Sequence, residues 1–384
     1  MPIFLLIIIS ILGGTAYYLA HRIHQGLACF FPKLPFLAVL LAVCALALIF
    51  VLGFARSMLP ISAEMKHFLG ITSAYSMGIL FYLFLFTILA DLLMLVPQLM
   101  KLQFTQHTLF RGFVIAMVLF LTSITSIYGF IHGRQIAHVS YEIPLKNTTD
   151  ISDLNVVLIS DLHLGAIGSE EQLKTIVDEI NSLQPDIICI AGDFFDTDFA
   201  SIQNPKEAIQ TLKQLNATHG TYACLGNHDG GQTFQQMTAF LEKANIQLLN
   251  DTYTTIDDRL ILLGRLDASP IGGYDEAKRQ PLASIFTRED RSLPVIVLDH
   301  NPANIDEYNT EADLVLCGHT HKGQVFPGGL LTDLLYTVDY GYYQKSDDSP
   351  HVIVSSGVGS WGMPMRVGTN CEIVSIHFSS LPKN

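Results

Sequence analysis

Long apolar stretches dominate the first third of the chain. Four of them carry almost no charge and cover residues 2–20, 34–54, 71–96 and 113–131. An α-helix advances about 1.5 Å per residue, so each stretch is long enough to cross the hydrocarbon core of a bilayer. We therefore predict an all-α bundle of four transmembrane helices in residues 1–134 and a multi-pass location in the cell membrane.

The connections between these stretches carry basic residues on both predicted sides of the membrane. One side would hold Arg22, Lys33, Lys101 and Arg111, and the other Arg56, Lys66, Arg134 and Lys146. Equal counts do not settle the orientation, but the lack of charge before the first stretch and the basic residues after it favour an outside N-terminus. An even number of helices would then place the C-terminal domain outside the cytoplasm.

Asp91 is the acidic residue inside the third apolar stretch, close to Pro97. An ionisable group at such a position either marks a functional polar site within the bilayer or reaches its surface. We expect Asp91 to reach the membrane interface or to cap a neighbouring helix, with a functional site as the alternative.

The pattern of apolar positions changes after residue 134. Residues 135–154 are more polar, with Asn147, Thr148, Thr149, Asp150 and Ser152, and predict a connector. Beyond it, short runs of Val, Ile and Leu alternate with helical patterns at 170–182 and 205–215. This alternation is typical of an α/β domain, which we assign to residues 155–384.

Polar side chains follow five of these short apolar runs, which cover residues 156–160, 187–191, 222–225, 295–298 and 314–317. The residues that follow are Asp161 and His163, then Asp193, then Asn227, His228 and Asp229, then Asp299 and His300, then His319 and His321. Ligands bind at the carboxyl ends of strands in α/β sheets, so we expect these side chains to meet. A mixed set of oxygen and nitrogen ligands suits Mn, Fe or Zn. The number of candidates exceeds what one ion accepts, so we predict two divalent metal ions.

The net charge and the cysteine spacing argue against one class of partner and one kind of metal site. The formal net charge is −13, and all acidic residues except Glu64 and Asp91 follow position 135. Nucleic-acid binding requires a basic surface, so we expect no nucleic-acid partner. The six cysteines include no CxxC pair, which argues against a thiolate zinc site.

The order of these motifs resembles the calcineurin-like metallophosphoesterases, whose pattern is Asp-x-His, Gly-Asp, Gly-Asn-His-Asp, His and Gly-His-x-His. The resemblance covers residues 155–378. The segments at 340–343, 355–360 and 364–366 are similar to the bacterial membrane-associated branch of the family, and more weakly to UDP-2,3-diacylglucosamine pyrophosphatases. The resemblance implies a four-layer α/β/β/α sandwich after the transmembrane bundle.

The resemblance also implies a role for each matching residue. One metal ion would be held by Asp161, His163 and His321, and the other by Asn227, His300 and His319, with Asp193 bridging both. His228 would contact the phosphate and protonate the leaving oxygen. Asp229 would orient His228 by accepting its other ring proton.

These residues predict a membrane-anchored, metal-dependent hydrolase of a phosphodiester, pyrophosphate or phosphomonoester, acting through a metal-bridging hydroxide. The anchor favours a lipid-linked substrate, with the lipid bilayer as a further partner. The alternative is a non-catalytic membrane receptor, scaffold or transporter that binds a phosphorylated ligand. Lys322 and Arg366 either contact phosphate or serve no such role.

Overall fold

The computed structural model describes residues 2–103, 107–145, 151–168, 170–196, 199–286 and 293–380, with the side chains of 2–9, 170 and 380 left aside. The chain divides into two compact units, Met1–Ile131 and His132–Asn384.

The first unit is built from long helices. They are α1 Pro2–Leu27, α2 Phe36–Phe54, α3 Ala63–Leu99 and α4 Thr108–His132. Among the described residues, α2, α3 and α4 are long and apolar enough to cross a membrane. The first predicted span falls in α1, where the side chains of residues 2–9 lie outside the description, so the count of four spans stays a prediction.

Asp91 on α3 pairs with a basic residue of α1. The Arg22 Nε atom donates a hydrogen bond to Asp91 Oδ2 at 2.8 Å, and the Tyr18 hydroxyl donates to the same oxygen at 2.7 Å. Arg22 also makes a second contact, with Asp91 Oδ1. Asp91 therefore joins two helices of the unit, as ionisable groups within membrane proteins commonly do.

The second unit contains two six-stranded sheets. The first sheet has the order β1-β12-β2-β3-β4-β5 and the second the order β10-β11-β9-β8-β7-β6. The strands are β1 Ile136–Leu145, β2 Asn155–Ile159, β3 Ile187–Ala191, β4 Thr221–Cys224, β5 Gln247–Leu248, β6 Thr252–Ile256, β7 Leu260–Gly264, β8 Val295–Leu298, β9 Leu314–Cys317, β10 Gly341–Gln344, β11 His351–Val354 and β12 Cys371–Ser380.

The described part of the second unit also contains five α-helices, of which the first three cover the outer face of the first sheet and the fourth packs against the outer face of the second. They are α5 Glu170–Ser182, α6 Pro205–Leu212, α7 Phe234–Lys243, α8 Leu282–Ile285 and α9 Gly328–Leu335. Successive side chains of a strand point to opposite faces, so Val156 and Leu158 join the core between the sheets while Val157 and Ile159 pack under the helices. The predicted α/β/β/α layering is confirmed, because a third apolar cluster covers the outer face of the second sheet.

The predicted connector differs from the structure over half of its length. Residues 136–145 form the strand β1, which pairs in parallel with β12 from Ile136 opposite Cys371 to Leu145 opposite Ser380. Burial of Ile143 and Leu145 against the core between the sheets stabilises this pairing. The polar residues Asn147, Thr148, Thr149 and Asp150 lie outside the described residues.

Candidate metal centre

The predicted ligands lie at the carboxyl ends of strands from both sheets. Asp161 and His163 follow β2, Asp193 follows β3 and Asn227 follows β4, all in the first sheet. In the second sheet, His300 follows β8, and His319 and His321 follow β9. The face-to-face packing of the sheets brings these ends together at one edge of the core.

A first cluster consists of Asp161, His163 and His321, whose ligand atoms lie within 4.8 Å of one another. The Nε2 atoms of the two histidines are 3.1 Å apart, and His321 Nε2 lies 3.3 Å from Asp161 Oδ1. All three side chains are buried. Two imidazoles and one carboxylate that converge in this way form a suitable set for a divalent cation.

A second cluster consists of Asp193, His300 and His319, again within 4.8 Å, together with Asn227. Asn227 Oδ1 lies 2.8 Å from His319 Nδ1 and 3.2 Å from His300 Nε2. The His300 Nδ1–H group donates to the Ala191 carbonyl at 2.7 Å. That hydrogen bond fixes the ring orientation and directs Nε2 towards the cluster.

Asp193 lies between the two clusters. Its Oδ2 atom is 3.2 Å from His300 Nε2 in the second cluster and 3.8 Å from His163 Nε2 in the first. Its other oxygen accepts a hydrogen bond from the His228 backbone N–H at 2.8 Å. One carboxylate therefore faces the nitrogen ligands of both clusters.

The backbone at the ligands is held in an uncommon conformation. Asp161, His163, Asp193, His319 and His321 all have positive φ angles, between 48° and 75°. Such angles are unfavourable for residues with a Cβ atom and persist where the surrounding structure imposes them. This backbone conformation turns the chain sharply at the end of each strand and directs the ligand side chains into the site.

Glycine is needed beside Asp193. Gly192 has a φ of +78°, and a Cβ atom at this position would lie 2.7 Å from the Gly226 nitrogen and 2.8 Å from His300 Nδ1. Any side chain there would push the β3 and β4 loops apart, so this Gly permits the close approach of the Asp193 and Asn227 loops.

Burial determines the protonation state of the histidines in the first cluster. It lowers the pKa of His163 to about 3 and that of His321 well below its ordinary value. Burial raises the pKa of Asp161 to about 6. Both imidazoles of the first cluster are therefore neutral near pH 7, which is the form that binds metal ions.

At His300 in the second cluster, an ion pair outweighs burial, whereas burial lowers the pKa of His319 to about 4. Burial lowers the pKa of His300, but Asp193 and Asp161 more than offset this effect and raise it well above its ordinary value. Burial raises the pKa of Asp193, while His300 and His163 lower it below its ordinary value. Without metal, His300 is thus a cation paired with the Asp193 carboxylate.

His228 lies beside the first cluster, with its ring centroid 5.2 Å from that of His163. Its Nδ1 atom is 2.5 Å from the Asp196 carbonyl oxygen, to which it donates. The predicted bond to Asp229 is wrong: the two Asp229 oxygens accept from the backbone N–H groups of Phe195 and Gly226 at 3.0 and 2.8 Å. The sequence pattern does not reveal these backbone N–H donors in the loops after β3 and β4, and their hydrogen bonds occupy the Asp229 carboxylate.

Arg366 supports the first cluster from behind. It is fully buried, its Nη1 donates to the His321 carbonyl at 3.2 Å, and its Nη2 lies 3.1 Å from His321 Nδ1. These contacts place Arg366 as a positioning residue for His321 and not in a phosphate contact. Lys322 Nζ lies 4.2 Å from the centroid of the Tyr340 ring, in a cation–π contact.

Two acidic residues near the site were not predicted from the sequence. Asp196 forms a further group with His163 and His228, within 4.8 Å. Asp267 is buried after β7, and its Oδ2 atom has no hydrogen-bond partner among the described residues. The available signals were the second carboxylate in GDFFD at 192–196 and the apolar run before Asp267.

Comparisons with known proteins identify the family. The calcineurin-like phosphoesterase profile matches residues 154–323. An uncharacterized metallophosphoesterase of Campylobacter jejuni is 32% identical over 309 residues, which are 77% of this chain and 78% of the relative.

Two other relatives are matched over less of their length. An uncharacterized metallophosphoesterase of Helicobacter pylori is 33% identical over 60% of this chain and 61% of its own. A transmembrane protein with metallophosphoesterase domain from Danio rerio is 30% identical over 70% of this chain and 62% of its own. The chain thus covers less than two thirds of these two relatives. With the ordered ligand motifs and the layered sheets, these findings show that the chain belongs to the calcineurin-like metallophosphoesterase family, whose members use divalent metal ions.

Proposed function

We propose that the protein is a membrane-anchored phosphoesterase that holds one divalent ion in the first cluster and another in the second, with Asp193 shared between them. The position of the Asp193 Oδ2 atom, between His163 and His300, carries this proposal. The imidazole-rich donor set favours Mn, Fe or Zn over Ca or Mg.

The donor set fits the ions that the family uses. Each cluster offers imidazole nitrogens and a carboxylate oxygen within 4.8 Å, and the Asn227 amide oxygen completes the second. When bound, two divalent ions supply Lewis-acid stabilisation of phosphate oxygens and activation of water. The residues of the chain fix the coordination geometry and exclude bulk solvent from the buried side of the site.

His228 is placed to move a proton. The Asp196 carbonyl accepts the Nδ1–H hydrogen, which keeps that nitrogen protonated and leaves Nε2 to give its proton to the leaving oxygen. The ring is only partly buried and lies between His163 and Trp361, so a substrate can reach it. General acid catalysis of this kind contributes about 10²- to 10⁴-fold to a rate.

The family and the apolar helices together support one class of substrate. A phosphoesterase requires a phosphorylated substrate, and the apolar helices support a location of the chain at a membrane. Tethering raises the effective concentration of the site near lipid head groups. We therefore favour a lipid-linked phosphodiester, pyrophosphate or phosphomonoester over a soluble ester.

The test is hydrolysis by the detergent-purified chain after chelation and return of Mn²⁺. We expect His228→Ala to keep its metal ions and to lose about 10²-fold or more in turnover of an alkyl phosphodiester, with a smaller loss for bis(p-nitrophenyl) phosphate. The activated ester needs less protonation of its leaving oxygen.

His138→Ala is the matched control, because His138 lies on β1 and pairs with Glu179 at 3.0 Å. Equal losses for both esters would contradict the proton-donor role of His228. Silence of the metal-loaded, folded wild-type chain on all phosphate esters, including a lipid panel, would instead support the non-catalytic binding protein.

A further inference from the structure

An exposed apolar ridge lies next to the metal centre. It consists of Phe326 together with four leucines of α9, which are Leu330, Leu331, Leu334 and Leu335. Phe326 is 56% exposed, and the leucines are 62% to 82% exposed. Among the described residues of the second unit, five of the nine exposed large apolar side chains lie within these ten positions. Concentrated apolar exposure of this kind marks a surface that meets another phase or partner.

The leucines share one side of the helix. Positions i, i+1, i+4 and i+5 fall within an arc of about 140° on an α-helix. Thr332 points away from this arc, and its hydroxyl donates to Asp339 Oδ2 at 2.7 Å. The Asp339 carbonyl in turn accepts from the Thr320 hydroxyl at 2.5 Å. Polar contacts to the loop of the second sheet therefore hold α9 in place, and the leucines remain free to contact something outside the domain.

The chain itself indicates what the ridge contacts. Helix α4 ends at His132 and β1 begins at Ile136, so only a few residues join a membrane-spanning helix to the domain that carries the ridge. This short tether keeps the domain at the surface of the bilayer. Leu334 and Leu335 are 82% and 75% exposed, which makes the ridge convex.

A convex ridge needs a matching groove in a protein partner, whereas lipid adapts to its shape. We propose that the ridge inserts into the lipid bilayer that holds the helices of the chain, as an interfacial anchor of the soluble domain.

This position has a consequence for the metal centre. The ridge follows directly on the loop that carries His319 and His321, and the Tyr336 ring, at the end of α9, lies 6.1 Å from the His319 ring. Insertion would hold the second cluster close to the lipid head groups. That consequence rests on the proposed function, while insertion of the ridge does not.

A single fluorescent residue can measure insertion. The chain contains one tryptophan, Trp361, which Trp361→Phe removes. In that background, Leu331→Trp reports on the ridge. Tyr253→Trp reports on β6, where Tyr253 is 51% exposed and provides the matched control. Each full-length variant is reconstituted in vesicles of phosphatidylcholine with brominated or ordinary acyl chains.

We expect brominated lipid to remove about half of the Leu331→Trp emission, because interfacial side chains sit about 5–10 Å into the head-group and acyl boundary. The Tyr253→Trp emission should stay unchanged. Leu334→Trp repeats the measurement should Leu331→Trp fail to fold.

Quenching no greater than that of the control overturns the proposal. Blue-shifted emission without quenching also overturns it, because the ridge is then covered by protein, such as a second copy of the chain. Hydrolysis of bis(p-nitrophenyl) phosphate by the wild-type chain, which keeps Trp361 beside His228, is measured in vesicles of the same composition and separates the two ideas. An active wild type without quenching of the Leu331→Trp variant contradicts the ridge alone, and quenching together with an inactive wild type supports the ridge and contradicts the proposed function.

Discussion

The two clusters of the metal centre use the same kinds of side chain in different electrostatic settings. In the first, Arg366 approaches His321, and burial keeps both histidines neutral. In the second, His300 faces Asp193 at 3.2 Å and holds a proton without metal. The first is therefore ready to bind a cation, while the second must exchange a proton for it.

This difference shows that the residue types of the ligands alone do not determine the charge state of a metal site. Asp193 Oδ2 faces both clusters, but it lies closer to His300 Nε2, at 3.2 Å, than to His163 Nε2, at 3.8 Å, so the metal-free charge pair forms with His300. A metal ion bound in the second cluster would replace the positive charge of the His300 proton, so the Asp193 carboxylate would keep a cationic partner in either state.

The largest effect should come from removing one ligand of each cluster. His163→Ala should empty the first cluster and His319→Ala the second. Each should lower turnover by more than about 100-fold, because even loss of an outer-shell contact costs about 10- to 100-fold. Metal analysis together with hydrolysis provides the measurement, and His138→Ala the control. Retention of both ions in either variant would contradict the assignment of that ligand.

Changing the pH should separate the two clusters. The pKa of His300 is raised, so its proton must leave as the second ion binds, and affinity there should fall about tenfold for each pH unit lost around neutrality. In the first cluster the histidines are already neutral, and the pKa of Asp161 is about 6. Affinity there should stay nearly constant down to about pH 6.

Calorimetric titration with Mn²⁺ can count the released protons, in buffers that differ in ionisation enthalpy. His319→Ala leaves the first cluster to be measured alone, and His163→Ala the second. Equal pH slopes in the two variants would contradict the difference between the clusters.

Asp229→Asn should lower turnover less than the ligand variants do, and its main effect should be on stability. The amide would place an N–H group against the backbone N–H of Phe195 or Gly226, which now donate to the carboxylate. We expect the free energy of unfolding to fall by about 1–3 kcal/mol, with the pH profile of hydrolysis unchanged. Chemical denaturation of the metal-free chain, with the exposed Asp178→Asn as control, measures this. An altered pH profile at unchanged stability would restore the predicted pairing with His228.

Much of the fold could be predicted because its signals are local. The apolar run at 187–191 coincides with β3, and the amphipathic pattern at 170–182 coincides with α5. The strand β1 was missed because its partner β12 lies more than 200 residues further along the chain. Its alternation of half-buried and exposed positions also resembled a polar connector.

The site was predictable as a set of residues but not as a set of contacts. Strand ends indicate where His228 and Asp229 lie, yet the partner of a side chain depends on which backbone donors and acceptors remain free nearby. The Asp196 carbonyl and the Gly226 amide take these roles. Arg366 lies 45 residues beyond His321, and no spacing rule connects them.

The central claim is that Asp193 is shared by two metal ions. The most direct measurement is the metal content per chain of the wild-type protein and of Asp193→Asn, determined by mass spectrometry after Mn²⁺ loading and dialysis, with hydrolysis followed in parallel. We predict two ions in the wild type, at most one in the variant, and loss of hydrolysis with the second ion. A fully active wild type with a single ion, or an Asp193→Asn variant that keeps both ions and its activity, would contradict the account.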